Sequence, residues 1–301
     1  MSLQAELDAL ALSAADHVLG VAVTDILENR IVAAANADRP FQLASMFKIP
    51  VLVTAFRHIE AGKLALDQRY TVRAGQKLVG SGILAYLDDG LAPTLHDLLT
   101  LMIIVSDNTA TDMVLDLLGG PETVDQMLRD LGITDIHVRH RTRDLLWAVF
   151  PADALVLTEA EFARYTREHN LQRVDHLVAP GAKTNTGTPA ALNQLLALIE
   201  RGTCASADSC AAMRTILKRQ TFNHRLPRSW PDDVEFAHKT GTLGDMRGDS
   251  GILYLPDRTL AISGIVQAVN TPLPLTPAQE DAGDALLARV GELVYCWASG
   301  N

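Results

Sequence analysis

The fold is decided near the end of the chain, where residues 234–266 read VEFAHKTGTLGDMRGDSGILYLPDRTLAISGIV. This stretch holds three β-prone runs, which are Glu235 to Lys239, Gly251 to Leu255 and Thr259 to Val266. Each run is apolar or alternates apolar with polar residues, and turn signals such as Pro256-Asp257 lie between them. The pattern predicts three strands that pair in an antiparallel sheet.

The two ends of the chain resemble each other. Apolar residues at helical spacing predict an amphipathic helix over residues 3–19. Val21 to Leu27 and Arg30 to Ala35 then predict two strands around a turn at Glu28-Asn29. Helical spacing returns over Pro277 to Trp297. We therefore expect the first and last segments to form one α/β lobe.

Long helical patterns broken by glycines fill the chain between Ser45 and about Ile199. The sequence thus predicts an α+β fold in which an antiparallel five-stranded sheet is flanked by terminal helices. We expect a discontinuous α/β lobe from residues 1–43 and 218–301, and an inserted all-α lobe from residues 44–217.

Composition excludes several classes of function. The chain has 301 residues, of which 48% are hydrophobic, so a large core is expected. With 26 Lys and Arg against 36 Asp and Glu, the formal net charge of −10 repels nucleic-acid phosphates and anionic membranes. No run approaches the roughly 18 apolar residues that a membrane-spanning helix needs. We expect no nucleic-acid partner and no membrane partner.

Cysteine and histidine spacing argues against a metal centre. The three cysteines, Cys204, Cys210 and Cys296, include no C-x-x-C pair, so neither a disulfide framework nor a cysteine-rich zinc site is indicated. The histidines lack metal-ligand spacing. We assign no metal and no cofactor.

The start of the chain bears on its cellular location. It carries Glu6, Asp8 and Asp16 but no Lys or Arg before Gly20, whereas a secretory leader begins with basic residues and continues with an apolar run. As the sequence stands, we expect a cytoplasmic protein. A trimmed leader would instead mean a periplasmic or secreted one.

The motif Ser45-Met46-Phe47-Lys48 opens the helical block. Three residues apart on a helix, a hydroxyl and an amine share one face about one turn apart. A lysine can take the serine proton if burial or positive potential lowers its pKa of about 10.4, and the helix N-terminus offers both positive potential and N–H groups for an oxyanion. Alone, S-x-x-K more often marks a solvated helix cap followed by a surface lysine.

The motif Ser106-Asp107-Asn108 follows the apolar run Leu98 to Val105. Alone, it favours a helix terminus capped by Asp107 or Asn108, with a new helix running through Leu118. The functional interpretation makes Ser106 a proton carrier and Asn108 an amide that hydrogen-bonds a substrate.

The motif Lys239-Thr240-Gly241 places a cation on a strand edge, where an anion can bind. Gly241 lacks a Cβ and would let a ligand backbone approach, and the N–H of Thr242 is a candidate oxyanion donor. Alone, the motif more often means a surface lysine before a hairpin turn.

In this order, S-x-x-K, S-D-N and K-T-G resemble the motif set of class A β-lactamases and penicillin-binding proteins. The resemblance covers most of the chain. The similar segments around the motifs are Phe47 to Leu52, Gly80 to Leu84, Asp97 to Ile103 and Ser106 to Thr111. It implies a class A β-lactamase-like fold with the site between the two lobes, and acyl transfer through a serine.

The resemblance implies a role for each motif residue. Ser45 corresponds to the acylated nucleophile, Lys48 to the amine beside it and Ser106 to the proton shuttle. Asn108 corresponds to the ligand of the substrate amide. With Lys239, the first three are the candidate catalytic residues.

The resemblance also implies a carboxylate site. Lys239 and Thr240 correspond to the residues that bind the substrate carboxylate, and the N–H groups of Ser45 and Thr242 correspond to the oxyanion hole. Arg247 is expected to add a guanidinium to this site.

One family pattern is missing. Class A enzymes carry a loop patterned R-x-x-E-x-x-L-N, whose Glu orients the water that hydrolyses the acyl-enzyme, and here Thr142 stands about where that Glu is expected. Asp144 is nearby but shorter and out of register, and a surface pair of Asp144 with Arg141 or Arg143 is at least as good an interpretation. We expect acylation to be intact and deacylation to be impaired. Whether the segment from Arg139 to Lys183 covers the cleft is left open.

The leading hypothesis is a β-lactamase-like serine hydrolase that acts on a β-lactam or related amide. We expect a monomer whose partner is a small molecule with a carboxylate. One alternative is a D-alanyl peptidase or an esterase/amidase of the same fold. Another is a non-catalytic protein that binds a carboxylate ligand.

Overall fold

The structure is a computed structural model that describes residues 2–14, 16–149, 184–269 and 275–300. Within these ranges the helices are α1 Leu3–Ser13, α2 Lys48–Glu60, α3 Leu95–Ile104, α4 Asn108–Leu118, α5 Pro121–Asp130, α6 Thr142–Val149, α7 Pro189–Glu200, α8 Ala207–Leu217 and α9 Pro277–Ser299. The strands are β1 His17–Asp25, β2 Arg30–Ala35, β3 Phe41–Gln42, β4 Ile136–His137, β5 Thr186–Gly187, β6 Glu235–Leu243, β7 Met246–Leu255 and β8 Arg258–Ala268. Short 3₁₀ helices lie at Ala44–Phe47, Ala74–Gln76 and Leu84–Tyr86.

The main sheet has the predicted architecture. Its strand order is β2-β1-β8-β7-β6, and each neighbouring pair is antiparallel. A hairpin from the start of the chain therefore joins three strands from its end. β6 lies at one edge of this sheet and carries Lys239 and Thr240.

Several boundaries differ from the sequence expectation. α1 ends at Ser13 rather than at residue 19, because residues 17–19 pair with β8 and the hydrogen bonds of an inner strand outweigh weak local helical spacing. β6 extends to Leu243 and β7 starts at Met246. Their facing ends are rich in polar residues and glycine, so they lack the apolar alternation that marks a strand.

The first hairpin turns where predicted. Asn29 has φ 52°, a left-handed conformation that asparagine tolerates better than most residues. The side chain of Asp25 accepts a hydrogen bond from the backbone N–H of Glu28 at 2.9 Å, which closes the turn without a glycine.

Buried side chains of the described residues form two cores on opposite faces of the sheet. Ile262 of β8 belongs to the core under α1 and α9, together with Leu7 and Val290. Ile265 of the same strand belongs to the core shared with the middle helices, together with Leu52. Successive strand residues point to opposite faces, so one strand serves both cores.

A second, small sheet has the order β3-β5-β4, which the sequence does not predict. Strands of two residues leave no periodicity to detect.

The lobe boundaries near residues 43 and 217 stay a prediction. Most of the segment from Arg139 to Lys183 lies outside the described residues. No helix in the described ranges is long and apolar enough to cross a bilayer.

Candidate active site

Ser45 lies in the 3₁₀ turn Ala44–Phe47, which runs directly into α2. Lys48 is the first residue of α2, and its backbone N–H bonds the carbonyl of Ser45, so the pair spans a junction of two helix types rather than one α-helical turn. Ala44 has φ 42°, in the left-handed region, which costs a residue with a Cβ about 1 kcal/mol. This turn leaves Ser45 half-buried at the wall of a cavity.

Gly241 brings β6 against the turn that carries Ser45. A Cβ atom at Gly241 would lie 2.8 Å from the carbonyl oxygen of Leu43 and 3.1 Å from Cγ of Met46. The absent side chain thus makes room for the chain's own turn, where the sequence suggested a ligand backbone. Thr242, the next residue, lines the same cavity as Ser45. A ligand contact at Gly241 stays a prediction.

The amine of Lys48 is fully buried and reaches the S-D-N motif. Nζ lies 2.7 Å from the carbonyl oxygen of Ser106, 3.1 Å from Ser106 Oγ and 3.1 Å from Asn108 Oδ1. Burial lowers the pKa of Lys48 to about 7, although the negative charges of Asp107 and Asp112 act to raise it. A substantial share of the amine is therefore neutral near neutral pH, as a general base requires.

The three partners of Lys48 fix where its lone pair points. A neutral amine has two hydrogens and one lone pair. The Ser106 carbonyl oxygen and Asn108 Oδ1 only accept, and the Asn108 amide nitrogen is engaged with the carbonyl of Val79 at 3.1 Å. The lone pair is left facing the Ser106 hydroxyl, which can donate. This arrangement suits proton exchange between Lys48 and Ser106.

Asp107 holds the S-D-N turn in place. It caps α4 by accepting from the N–H of Ala110 at 2.8 Å, and its other oxygen accepts from Ile83 at 2.7 Å and Leu84 at 2.9 Å. A Cβ on Gly82, which has φ +100°, would lie 2.4 Å from Asp107. The capping expected from the sequence is confirmed, and α4 runs through residue 118 as predicted.

Ser106 itself adopts φ 55°, a left-handed conformation that is rare for serine. The turn directs both its carbonyl and its hydroxyl toward Lys48. The helix cap and the functional arrangement are therefore compatible, because Asp107 supplies the cap and leaves Ser106 and Asn108 to face the cavity.

One cavity of about 490 Å³ gathers most of the predicted residues. Those that line it are Ser45, Ser106, Asn108, Thr240, Thr242 and Arg247. Lys48, Lys239 and Gly241 are buried next to this lining and are not part of it.

Lys239 is buried on β6, so the interpretation as a surface lysine is wrong. Its Nζ donates to the carbonyl of Thr240 at 2.8 Å. Burial lowers the pKa of Lys239 well below its usual value, and the positive charges of Lys48 and Arg225 lower it further, against Asp249. A carboxylate bound beside Lys239 would favour its charged form, so the site suits an anionic group.

Arg225 is a site residue that the sequence did not reveal. Its guanidinium donates to the carbonyls of Gly241 at 2.7 Å and Gly248 at 2.8 Å and to Thr242 Oγ1 at 2.6 Å. Its Nε also pairs with Asp284 of α9 at 2.7 Å. Arg225 thereby ties the ends of β6 and β7 to the terminal helix. The stretch around it has neither periodicity nor a motif, so nothing marks it in advance.

Arg247 reaches the cavity, as predicted, but it already has partners. Nη2 lies 3.2 Å from Glu280 of α9, and Nη1 donates to the carbonyls of Gly244 and Met246. Glu280 is about half exposed, at 53% of its side chain, whereas Arg247 exposes 6%. An anionic ligand at Arg247 would compete with this exposed carboxylate.

Helix α6 supplies a further part of the cavity wall through Thr142, Leu145 and Leu146. Asp112 of α4 anchors the start of this helix, because its carboxylate accepts from the N–H of Thr142 at 2.7 Å and of Arg143 at 3.1 Å. Burial raises the pKa of Asp112, while these N–H groups act to lower it. Asp112 lies one helical turn after Asn108, among mostly apolar residues. This spacing is a signal in the sequence that was missed.

Asp144 does not replace the missing loop Glu in the cavity lining. Its carboxylate accepts from the backbone N–H of Arg141 at 3.0 Å, and it is not a lining residue. The expected partner is correct, but the contact is to the backbone, since the Arg141 guanidinium bonds Asp116 at 3.0 Å. Asp144 therefore caps α6.

Asn185 connects this wall to the segment before Ser45. Its Oδ1 accepts from the N–H groups of Arg139 at 2.8 Å and His140 at 3.0 Å, and its backbone carbonyl accepts from Leu43 at 2.9 Å. Asn185 is fully buried and was also missed by the sequence analysis.

In the part of the chain that is described, no group of three or more His, Cys, Asp and Glu side chains is placed to hold a metal ion.

Comparison with known proteins agrees with this geometry. The sequence model of the Beta-lactamase enzyme family matches residues 2–298. The chain belongs to this family. The β-lactamase regulatory protein BlaB of Streptomyces cacaoi is 26% identical and covers 85% of this chain and 85% of its own length. The extended-spectrum β-lactamase PER-1 of Pseudomonas aeruginosa is 25% identical and covers 92% of this chain and 81% of its own length.

A solved structure of an ancestral class A β-lactamase superposes with a TM-score of 0.77 at 26% identity, over 98% of this chain and 99% of that one. The class A β-lactamase-like fold expected from the motifs is thus confirmed. In this chain, α6 places Thr142, Leu145 and Leu146 in the cavity lining.

Proposed function

We propose that this β-lactamase family member opens a β-lactam or a related amide through an acyl-Ser45 intermediate and releases the acyl group slowly. The proposal rests on one observation. Ser45, Ser106 and Asn108 line a single cavity, and buried Lys48 hydrogen-bonds the latter two. The substrate carries a carboxylate, for which Lys239, with Thr240, is the proposed partner.

In the proposed acylation, Ser45 Oγ attacks the carbonyl carbon and gives its hydroxyl proton to Ser106 Oγ, while Ser106 passes its own proton to the lone pair of neutral Lys48. The N–H groups of Ser45 and Thr242 stabilise the oxyanion. Collapse of the intermediate breaks the C–N bond, and Ser106 gives its proton to the leaving nitrogen as it regains one from Lys48. The products are an ester on Ser45 and an amine, and Lys48 is neutral again.

Deacylation requires an activated water molecule, and the α6 wall is poorly suited to activate one. The hydroxyl of Thr142 is too weak a base to take a proton from water. Leu145 and Leu146 are apolar and offer no base. Asp144 is engaged as a helix cap. These four residues support a slow second step.

Other carboxylates do line the cavity among the described residues, but each is paired with an arginine. Glu280 pairs with Arg247, and Asp284 pairs with Arg225. The guanidinium groups compete with a water molecule for these carboxylate oxygens. They support the same conclusion.

The test is intact-protein mass spectrometry after mixing with penicillin G, followed in time alongside absorbance with nitrocefin. We expect a covalent adduct of one lactam per chain. The adduct should persist far longer than the time in which an efficient β-lactamase completes one turnover. The Ser45→Ala variant should form none. Ser81→Ala is the matched control, because Ser81 lines the same cavity but donates to the carbonyl of Val105. A Ser45→Ala protein that still forms the adduct would refute the assignment.

A second candidate is a D-alanyl peptidase or an esterase/amidase of the same fold. The apolar α6 wall favours it, because such an enzyme releases its natural acyl group while penicillin remains bound. Turnover of a peptide ending in D-alanine, together with a lasting penicillin adduct, would distinguish it from a β-lactamase.

A third candidate is a carboxylate-binding protein without turnover. It is favoured by the similarity to BlaB, which is named as a regulatory protein. Reversible binding of penicillin G with no adduct on Ser45 would support it.

A monomeric state and a cytoplasmic location stay proposals. Light scattering tests the first, and cell fractionation tests the second.

A further inference from the structure

Two of the three cysteines lie side by side outside the candidate active site. Cys204 follows α7, Cys210 lies in the first turns of α8, and their Sγ atoms are 3.6 Å apart. Both side chains are fully buried, and neither residue lines the cavity around Ser45. Cys296 on α9 is exposed.

The backbone around this thiol pair is held firmly against α2. The Arg57 guanidinium donates to the carbonyl of Cys204 at 2.7 Å, and the carboxylate of Glu60 accepts from the N–H of Ser206 at 2.7 Å. The N–H of Cys210 bonds the carbonyl of Ser206 at 2.9 Å, which starts α8. The proximity of the two sulfurs thus follows from fixed backbone on both sides.

A disulfide needs an S–S distance of about 2.05 Å, so the two sulfurs must approach by about 1.5 Å. Rotation of two small side chains covers much of such a distance. We propose that Cys204 and Cys210 are an intramolecular disulfide site, closed by a small-molecule disulfide such as oxidised glutathione. Five residues separate the pair, so the C-x-x-C criterion applied to the sequence overlooks it.

The bond forms by two exchange steps. The thiolate of one cysteine attacks oxidised glutathione, which gives a mixed disulfide and releases one glutathione thiolate. The thiolate of the second cysteine then attacks the protein sulfur of the mixed disulfide and releases the other. Overall, two protein thiols are oxidised to one disulfide, one oxidised glutathione is reduced to two thiols, and the two protein protons end on those thiols.

Burial determines when the exchange occurs. Burial, reinforced by neighbouring Cys210, raises the pKa of Cys204 to about 12, so the folded protein presents little thiolate at this site. The disulfide therefore forms while the chain folds or when the connection between α7 and α8 opens locally. Once formed, it is shielded from reductants in the same way.

The full chain is unfolded in urea and refolded in a mixture of oxidised and reduced glutathione, then denatured, alkylated with iodoacetamide and weighed intact. We expect one alkyl group, on Cys296, and a mass lower by two hydrogens. Trypsin cuts after Arg201 and Arg214, so both cysteines fall in one peptide that should resist alkylation until it is reduced. Three alkyl groups per chain at every glutathione ratio would overturn the proposal.

Two variants sharpen the assignment. Cys296→Ser should keep the two-hydrogen loss, whereas Cys210→Ser should take up two alkyl groups. The wild-type tryptic peptide decides the question even if Cys210→Ser fails to fold. A disulfide that involves Cys296, within or between chains, would contradict the assignment.

Discussion

Lys48 Nζ lies 3.1 Å from Ser106 Oγ, and its remaining two contacts go to oxygen atoms that only accept. The amine therefore exchanges protons with Ser106 and has no competing donor among these partners. Together with the lowered pKa of Lys48, this contact connects the start of α2, next to Ser45, to the S-D-N motif and would let a proton pass between them.

The pKa of Lys48 predicts the pH dependence of acylation. Burial lowers this pKa to about 7, so the neutral base grows as pH rises through that value. We expect the rate of labelling by a fluorescent penicillin to increase about tenfold between pH 6 and pH 8, then level off. Lys48→Arg is the control, because a guanidinium stays charged and should label very slowly throughout. A rate independent of pH across this window would contradict the role of Lys48.

The α6 wall predicts that a carboxylate can be restored. Thr142→Glu places a base in the cavity lining, and we expect the penicillin adduct on Ser45 to disappear at least tenfold faster. The lifetime of the adduct, followed by intact mass, measures this. Glutamine has nearly the same shape as glutamate but no basic carboxylate, so Thr142→Gln should leave the lifetime of the adduct unchanged. Equal effects of both variants would show that shape, and not proton transfer, controls deacylation.

The Arg247–Glu280 pair predicts a gain of affinity on removing a charge. Glu280→Gln frees the guanidinium for an anionic ligand, so KM for a carboxylate-bearing substrate should fall several-fold with kcat little changed. Glu292→Gln is the control on the same helix, where Glu292 pairs with Arg289. An unchanged or higher KM in Glu280→Gln would show that Arg247 does not face the substrate carboxylate.

The contacts of Asp107 predict a large loss of stability. Asp107→Ala removes the acceptor of three backbone N–H groups, one at the start of α4 and two in the loop after Gly82. We expect the free energy of unfolding to fall by on the order of 3 kcal/mol, measured in urea. The exposed residue Asp88 offers a control, since Asp88→Ala should change the free energy of unfolding by less than about 0.5 kcal/mol. Similar losses of unfolding free energy in both variants would show that the three hydrogen bonds of Asp107 do not stabilise the fold.

The sheet and the motifs could be predicted because their signals are local. Strands of six residues or more leave periodicity, and S-x-x-K, S-D-N and K-T-G are each contiguous. The first helix was overestimated at residues 14–19 because pairing with β8 is a long-range effect that spacing cannot show.

Arg225 and Asn185 could not be recognised in the same way. Each acts through hydrogen bonds to backbone groups distant in sequence, such as Arg225 on the carbonyls of Gly241 and Gly248. Any residue type provides the same backbone N–H and carbonyl groups, proline's missing N–H aside, so the sequence holds no complementary pattern. The Cys204–Cys210 pair was missed for a related reason, since the turn into α8 sets its distance.

The left-handed residues Ala44 and Ser106 flank the reactive groups on both sides of the cavity. Each holds a backbone shape that the free chain would abandon, and surrounding contacts such as those of Gly241 and Asp107 keep it in place. Relaxation of these two turns would release backbone strain next to Ser45 and Lys48. We therefore expect the proposed activity to be lost on warming before the five-stranded sheet unfolds, so its temperature range should be narrower than the range in which the fold is intact.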